Sequence, residues 1–144
     1  MGIEPVDRRV RKTRRQLREC LITLLKEKKV QDITVRELTD MADLNRGTFY
    51  LHYRDVFDLL EKTENELLDE FNSLMYRHNA QDLTNNLAAV FVDIFHLVKD
   101  NSDLVYILLG ENGDLNFVNR LKHLVREKCL QDWMEVFRSG NSAF

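Results

Sequence analysis

Apolar residues recur along this chain at helical spacing, with short polar interruptions between the runs. From Arg8 to about Lys29, Val10, Leu17, Leu21, Leu24 and Leu25 fall on one face, which Thr13 and Cys20 complete. Val35, Leu38, Met41 and Ala42 give a second, short helix its apolar face. A third, from Arg46 to about Tyr53, is too short to be stable alone; Phe49 and Tyr53, four apart, can clamp it by packing. The stripe Phe57, Leu60, Leu67, Leu68, Phe71, Leu74 and Met75 predicts a long helix over about 56–78. Asn79-Ala80-Gln81 is a break, after which Asp82 or Thr84 caps a helix running to about Lys99. Leu87, Val90, Phe91, Ile94, Phe95 and Val98 give that helix a wide apolar face. Asn101-Ser102 opens a short helix through Leu109, with Leu104, Val105, Ile107 and Leu108 apolar, and Gly110-Glu111-Asn112-Gly113 is the clearest loop. A last amphipathic helix runs from Asp114 to about Arg138 and carries Phe117, Leu121, Leu124, Val125, Leu130, Trp133 and Phe137. Residues 1–7 read as a loose lead-in and residues 139–144 as a disordered tail. The sum is an all-α chain of about seven helices.

The stretch from Thr34 to Tyr53 carries the most local information. Thr34 followed by Glu37 has the spacing of a capping box, in which side chain and backbone satisfy each other at a helix start. Asn45 is a second N-cap. Asp43 falls at the intervening turn, where the backbone often needs a left-handed conformation that Asp tolerates. Leu44 plugs the angle between the two helices. Two capped short helices joined by a tight turn make a helix-turn-helix. The outward face of the second shows Arg46, Gly47, Thr48, Tyr50, Leu51 and His52. Arg46 suits a phosphate or a guanine edge, and Gly47 lets a backbone approach closely. Thr48 offers a hydroxyl to phosphate and a methyl to thymine, while Tyr50 and His52 can donate to phosphate oxygens. Such a surface fits a DNA major groove.

Charge sharpens this picture. The net charge is −3 over 144 residues. Residues 1–50 hold 12 Lys/Arg against 8 Asp/Glu, whereas residues 51–144 hold 9 against 16. The basic half contains the helix-turn-helix. Arg8, Arg9, Arg11, Lys12, Arg14 and Arg15 crowd the start of the first helix, where cations oppose the helix dipole and an external anion such as DNA phosphate would relieve the cost. The single Pro, Pro5, and five Gly leave room for long helices, and 44% hydrophobic residues suffice for a core. No run of 18 apolar residues occurs, so no membrane span is expected; nor does a signal-peptide type of apolar stretch follow the basic N-terminus. Cys20 and Cys129 sit in helical patterns and are expected as buried, reduced thiols of a cytoplasmic protein.

Other chemistries find little support. His52, His78, His96 and His123 are scattered without ligand spacing, so no metal site or cofactor is expected. No Gly-rich phosphate loop, nucleophile elbow or redox Cys pair is present, and the chain does not read as an enzyme. Phe91, Phe95, Tyr106, Phe117 and Trp133 are candidates to line a pocket for a small apolar ligand.

Ile33-Thr34-Val35-Arg36-Glu37-Leu38 followed by Arg46-Gly47-Thr48-Phe49-Tyr50-Leu51-His52-Tyr53 resembles the DNA-binding domain of the TetR family of bacterial transcriptional regulators. The likeness covers about residues 8–60. It implies a three-helix DNA-binding domain over residues 1–54 and a helical ligand-binding and dimerisation domain over 55–144, apparently short. It also implies a ligand-responsive repressor that binds a palindromic operator in double-stranded DNA as a homodimer, in the cytoplasm, and releases it for a small apolar inducer. The DNA-binding set expected from the residues and the resemblance together is Thr34, Arg46, Gly47, Thr48, Tyr50, His52, Arg54 and Arg14. Val35, Leu38, Ala42, Leu44 and Phe49 match the small core. The chain departs from the family pattern at Asp43, where a glycine is usual, at Thr39, where an alanine is usual, and at Val56, where many members have a phosphate-contacting lysine. Members of the family usually have at least nine helices, the last two forming the dimer interface. The shorter helix count and Val56 motivate an alternative, a co-regulator that keeps the fold but binds a partner protein.

Overall fold

The computed structural model describes residues 5–111 and 113–141; expectations for residues 1–4, Asn112 and 142–144 fall outside the described residues. The described residues form eight α-helices and no strand: α1 (Pro5–Leu25), α2 (Val35–Ala42), α3 (Arg46–His52), α4 (Val56–Arg77), α5 (Ala80–Asn85), α6 (Leu87–Asp100), α7 (Ser102–Leu109) and α8 (Leu115–Asn141). The all-α expectation holds. Two compact units divide the chain, Met1–Glu64 and Asn65–Phe144, with the division inside α4.

In the first unit α1 begins at Pro5, so residues 5–7 are helical and not a loose lead-in. Proline suits a first helical position, because its missing N–H would have had no partner there. A 3₁₀ turn, Val30–Asp32, follows α1. The core is Leu17, Leu21, Leu24 and Leu25 of α1, Ile33, Leu38, Phe49, Tyr53, and Val56, Leu59 and Leu60 of α4. Two expected core residues lie outside it. Met41 is 48% exposed and Phe57 55% exposed. Each sits roughly 100° around its helix from the buried face, so helical phase excludes it. Thr39 takes the interior place on α2. Its hydroxyl donates to the carbonyls of Val35 (2.9 Å) and Arg36 (3.2 Å), which lets a polar group be buried without penalty.

In the second unit Leu67, Leu68, Leu74, Met75, Ala80, Val90, Leu104, Ile107, Leu108 and Phe117 are buried. The expected single helix after residue 81 is two. Asn79 caps α5: its side chain accepts from the Asp82 N–H (2.8 Å), and the Asp82 carboxylate accepts from the Asn79 N–H (3.0 Å). Asp82 is thus the third helical residue and not the cap. The helix ends at Asn86, with φ −139° and ψ 46°, before α6 restarts. α8 continues to Asn141, so residues 139–141 are helical and not a disordered tail. Cys20 is half-buried, and burial with the neighbouring Glu19 raises its thiol pKa; Cys129 is exposed, contrary to the expectation of two buried thiols.

Polar bonds tie the helices of this unit. His78 Nε2 lies 2.7 Å from Asp93 Oδ2. Lys128 Nζ donates to the His78 carbonyl (2.9 Å) and to Asp132 Oδ1 (3.0 Å), and stands 4.7 Å from the centre of the Tyr76 ring. Both members of the Lys128–Asp132 pair are buried, so each charge depends on the other. The Arg120 guanidinium donates to the Asn65 side chain.

The α7–α8 connection needs its glycine most at position 113. A Cβ at Gly113 would collide with the Leu108 carbonyl and stand 2.9 Å from the Gly110 carbonyl oxygen, all backbone atoms that cannot turn aside. Gly113→Ala is expected to destabilise the chain by roughly 2–4 kcal/mol through forced backbone displacement. Thermal or urea unfolding followed by circular dichroism measures this; an unchanged midpoint would refute it.

Candidate nucleic-acid interface

The interface is assembled from its caps outward. Thr34 Oγ1 accepts from the Glu37 N–H (3.1 Å), and the Glu37 carboxylate accepts from the Thr34 N–H (2.9 Å), the reciprocal arrangement its spacing predicted. Lys28 adds an ion pair to Glu37. Its hydrogen bond, followed by that of the Thr34 N–H, holds the Glu37 carboxyl below the usual range. Lys28 was not expected in this role, and its charge is taken up inside the fold.

α2 ends at Asp43, whose φ of 55° and ψ of 47° are left-handed. An L-residue there costs about 1–2 kcal/mol, less for Asp, whose short polar side chain suits the region. The turn closes with the Leu44 N–H on the Thr39 carbonyl (2.9 Å). Asn45 then caps α3: its side-chain oxygen accepts from the Thr48 N–H (2.9 Å) and from the Thr48 hydroxyl (3.0 Å). That second bond engages the hydroxyl proton that Thr48 was expected to offer to phosphate.

A seven-residue helix has little stability of its own. Phe49 anchors it, with no exposed surface, its ring edge-on to Tyr50 (5.4 Å) and tilted against Tyr53 (5.6 Å). With Phe49 inward, Arg46, Gly47, Tyr50 and Leu51 face solvent, while Thr48 and His52 are half-buried. Arg14 of α1 is exposed and close enough to act on His52: burial first, and then the Arg14 charge, lower the imidazole pKa. Thr34 is also exposed. The structure thus brings Arg14 and His52 together and turns Arg46 and Tyr50 outward on the same short helix.

The end of α3 is fixed by charges that the sequence reading passed over. Asp55 accepts from the Asp58 N–H (2.8 Å), and Asp58 accepts from the Arg54 N–H (3.0 Å). Asp58 is buried and also meets Lys62 (3.2 Å) and the Arg54 guanidinium (3.7 Å). Lys62 reaches back to the His52 carbonyl (3.4 Å) and sits 5.3 Å from the centre of the Tyr53 ring. The signals were present: Asp55 and Asp58 have capping spacing, and Asp58 and Lys62 are four apart on one helix. Val56 is buried, so its position serves the core. Arg54 remains highly exposed beside Asp58.

In the second unit Phe117 is buried, but Phe91, Phe95, Tyr106 and Trp133 stand well exposed. Side chains so open to water do not enclose a ligand within a single chain. Two open clefts occur elsewhere in the unit. One, of about 590 Å³, lies along α4 and α6 among Asp69, Arg77, Asp93, His96 and Asp100; the other, of about 430 Å³, lies along α4 and α8 beside Leu68, Arg120 and Leu124. Among the described residues no His, Cys, Asp and Glu group is arranged to hold a metal, and no helix is long and apolar enough to cross a membrane.

Comparison with known proteins adds two matches. A family model for a transcriptional regulator C-terminal region, of the TetR class, matches residues 85–143. A curated relative, the uncharacterised HTH-type transcriptional regulator YxbF of Bacillus subtilis (strain 168), is 31% identical over 61 residues, which cover 42% of this chain and 16% of the relative. The match therefore spans a small part of that protein. No solved structure matches the chain significantly.

The charges on Asp58 make a pH prediction. The Arg54 N–H, followed by Lys62, lowers its folded pKa. A lowered carboxyl pKa contributes stability that is present above the ordinary Asp value and is lost as pH falls through the folded one. Asp58→Asn should therefore lower Tm by several degrees at pH 7, with the gap to the unaltered chain closing as the pH is taken below the carboxylate range. A gap that stayed constant with pH would exclude this account.

Proposed function

We infer that this chain is a transcriptional regulator of the TetR family, as the family-model match and the HTH-type relative support, and a ligand-responsive repressor that binds a palindromic DNA operator as a homodimer in the cytoplasm. In this reading residues 1–54 read DNA and residues 55–144 dimerise and bind the ligand. The observation that carries it is α3. Its one large buried side chain points into the core, and the capped, clamped helix presents Arg46, Gly47, Tyr50 and Leu51 to solvent beside exposed Arg14. Arg46 and Arg14 have no ion-pair partner among the described residues, unlike Lys28, Lys62 and Arg54. Arg46 and Arg14 supply charge to phosphates or a guanine edge, Arg54 to phosphates, and Tyr50 and His52 donate hydrogen bonds to the DNA backbone, whereas the Thr34 hydroxyl already donates to the Glu37 carboxylate (3.2 Å) and Thr34 serves by placing α2. A phosphate at His52 would favour the imidazolium that burial and Arg14 disfavour in the free chain. Selection of bound fragments from a genomic library tests the reading. An inverted repeat should emerge, and affinity for it should fall with salt at a slope steeper than about −3 on a log–log plot, as several neutralised phosphates require. Failure to retain any fragment at low salt would eliminate it in favour of the co-regulator reading.

Dimerisation rests on the second unit. Leu87, Phe91, Phe95 and Val98 of α6, and Leu130, Trp133, Met134 and Phe137 of α8, are exposed, with the Trp133 and Phe137 rings stacked at 5.9 Å. So much exposed apolar surface marks an interaction face, and a second copy offers a self-complementary one. The same exposed aromatics can enclose a small apolar inducer once a second chain covers them. Light scattering should give twice the chain mass, and Trp133→Ser with Phe137→Ser should give monomers of unchanged helicity. A double variant that stays dimeric would move the interface elsewhere.

A further inference from the structure

We propose that Leu51 is the side chain with which α3 reads a thymine methyl group, across a notch left by Gly47; this rests on the DNA-binding reading above. Leu51 is 83% exposed, more than any other large apolar residue described in its unit. The fold makes no use of it. Nor does the fold need a glycine at 47. No glycine among the described residues has a positive φ, and a Cβ at 47 would meet only Asn45 Oδ1, at an ordinary 3.4 Å. A glycine in the first turn of a helix still forgoes stability relative to alanine, because it loses more backbone freedom on folding. Two neighbouring choices therefore run against the stability of α3 itself, and they lie four residues apart, on one face.

Their geometry joins them. Helical side chains lean toward the N-terminus, so Leu51 lies over the turn that carries Gly47, where no side chain obstructs its approach to a partner. Around it stand groups suited to anions: Arg46, Tyr50, His52 and Arg54. Leu51 has no hydrogen-bonding capacity and cannot serve phosphate. An isolated apolar residue set among cations fits the thymine C5-methyl, the apolar feature of the major-groove edges. A protein partner would call for a broader apolar face at this point.

The test starts from a random-sequence duplex library bound by the full chain. The selected inverted repeat should hold thymine at one fixed position in each half-site. Replacing that thymine by deoxyuracil, which lacks only the methyl, should weaken binding about four-fold per half-site, the transfer value of one such group. Leu51→Ala should bind the thymine and deoxyuracil duplexes equally, with affinity close to that of the unaltered chain on deoxyuracil. Gly47→Ala should fold with an equal or higher Tm, bind more weakly and lose most of the thymine preference. An unaltered chain indifferent to the methyl, or a Leu51→Ala chain that still distinguishes the two duplexes, overturns the inference while DNA binding stands. If no duplex is enriched, DNA binding and this inference fall together.

Discussion

The burial of Phe49 is the contact on which the first unit depends. α3 is seven residues long, and isolated helices of that length do not persist in water. Placing a phenylalanine wholly inside the core contributes about 1.5–3 kcal/mol. It also fixes helical phase. Once position 49 points inward, positions 46, 47, 50 and 51 have to point outward. The caps at Thr34 and Asn45 and the left-handed Asp43 set where the two short helices start and stop, so the phase is transmitted without slippage. The outward face is thus a consequence of the inward one.

Internal pairing then sorts the cations. The first unit is rich in Lys and Arg, but they are not equivalent. Lys28 is held by Glu37, and Lys62 by Asp58 and the His52 carbonyl, where they stiffen the helix junctions. Arg54 divides its charge between Asp58 and solvent. Arg14 and Arg46 stay available to an outside anion. Composition alone counts all of these alike, whereas an interface depends on the ones that folding leaves uncommitted.

The second unit distributes apolar residues differently. Its interior is made by parts of α4, Ala80 of α5, α7 and the start of α8, while α6 buries Val90 and leaves both of its phenylalanines, Phe91 and Phe95, in water. The bond from Lys128 to the His78 carbonyl and the His78–Asp93 contact tie the α4–α5 connection to α8 and α6. Among the described residues much apolar surface of this unit thus stays in water, which supports the proposed second copy.

The local features were legible in the sequence because their causes are local. The Thr34–Glu37 box, the Asn45 cap and the left-handed turn at Asp43 each involve residues within three positions of one another, and the structure has all three. Helical phase also placed Leu17, Leu21, Leu38 and Phe49 inside. What the sequence left undecided depends on a partner element. Met41 and Phe57 have the chemistry of core residues but not the angle, and the burial of Thr39 depends on a neighbouring helix coming close. Phe91, Phe95 and Trp133 have helical spacing that suits a core equally well, yet no other part of the described chain covers them. The role of Lys28 likewise arises from a charge nine residues away, and Lys62 also reaches a backbone carbonyl ten residues away. Periodicity states which face of a helix is apolar; only the tertiary structure decides which apolar faces receive a neighbour.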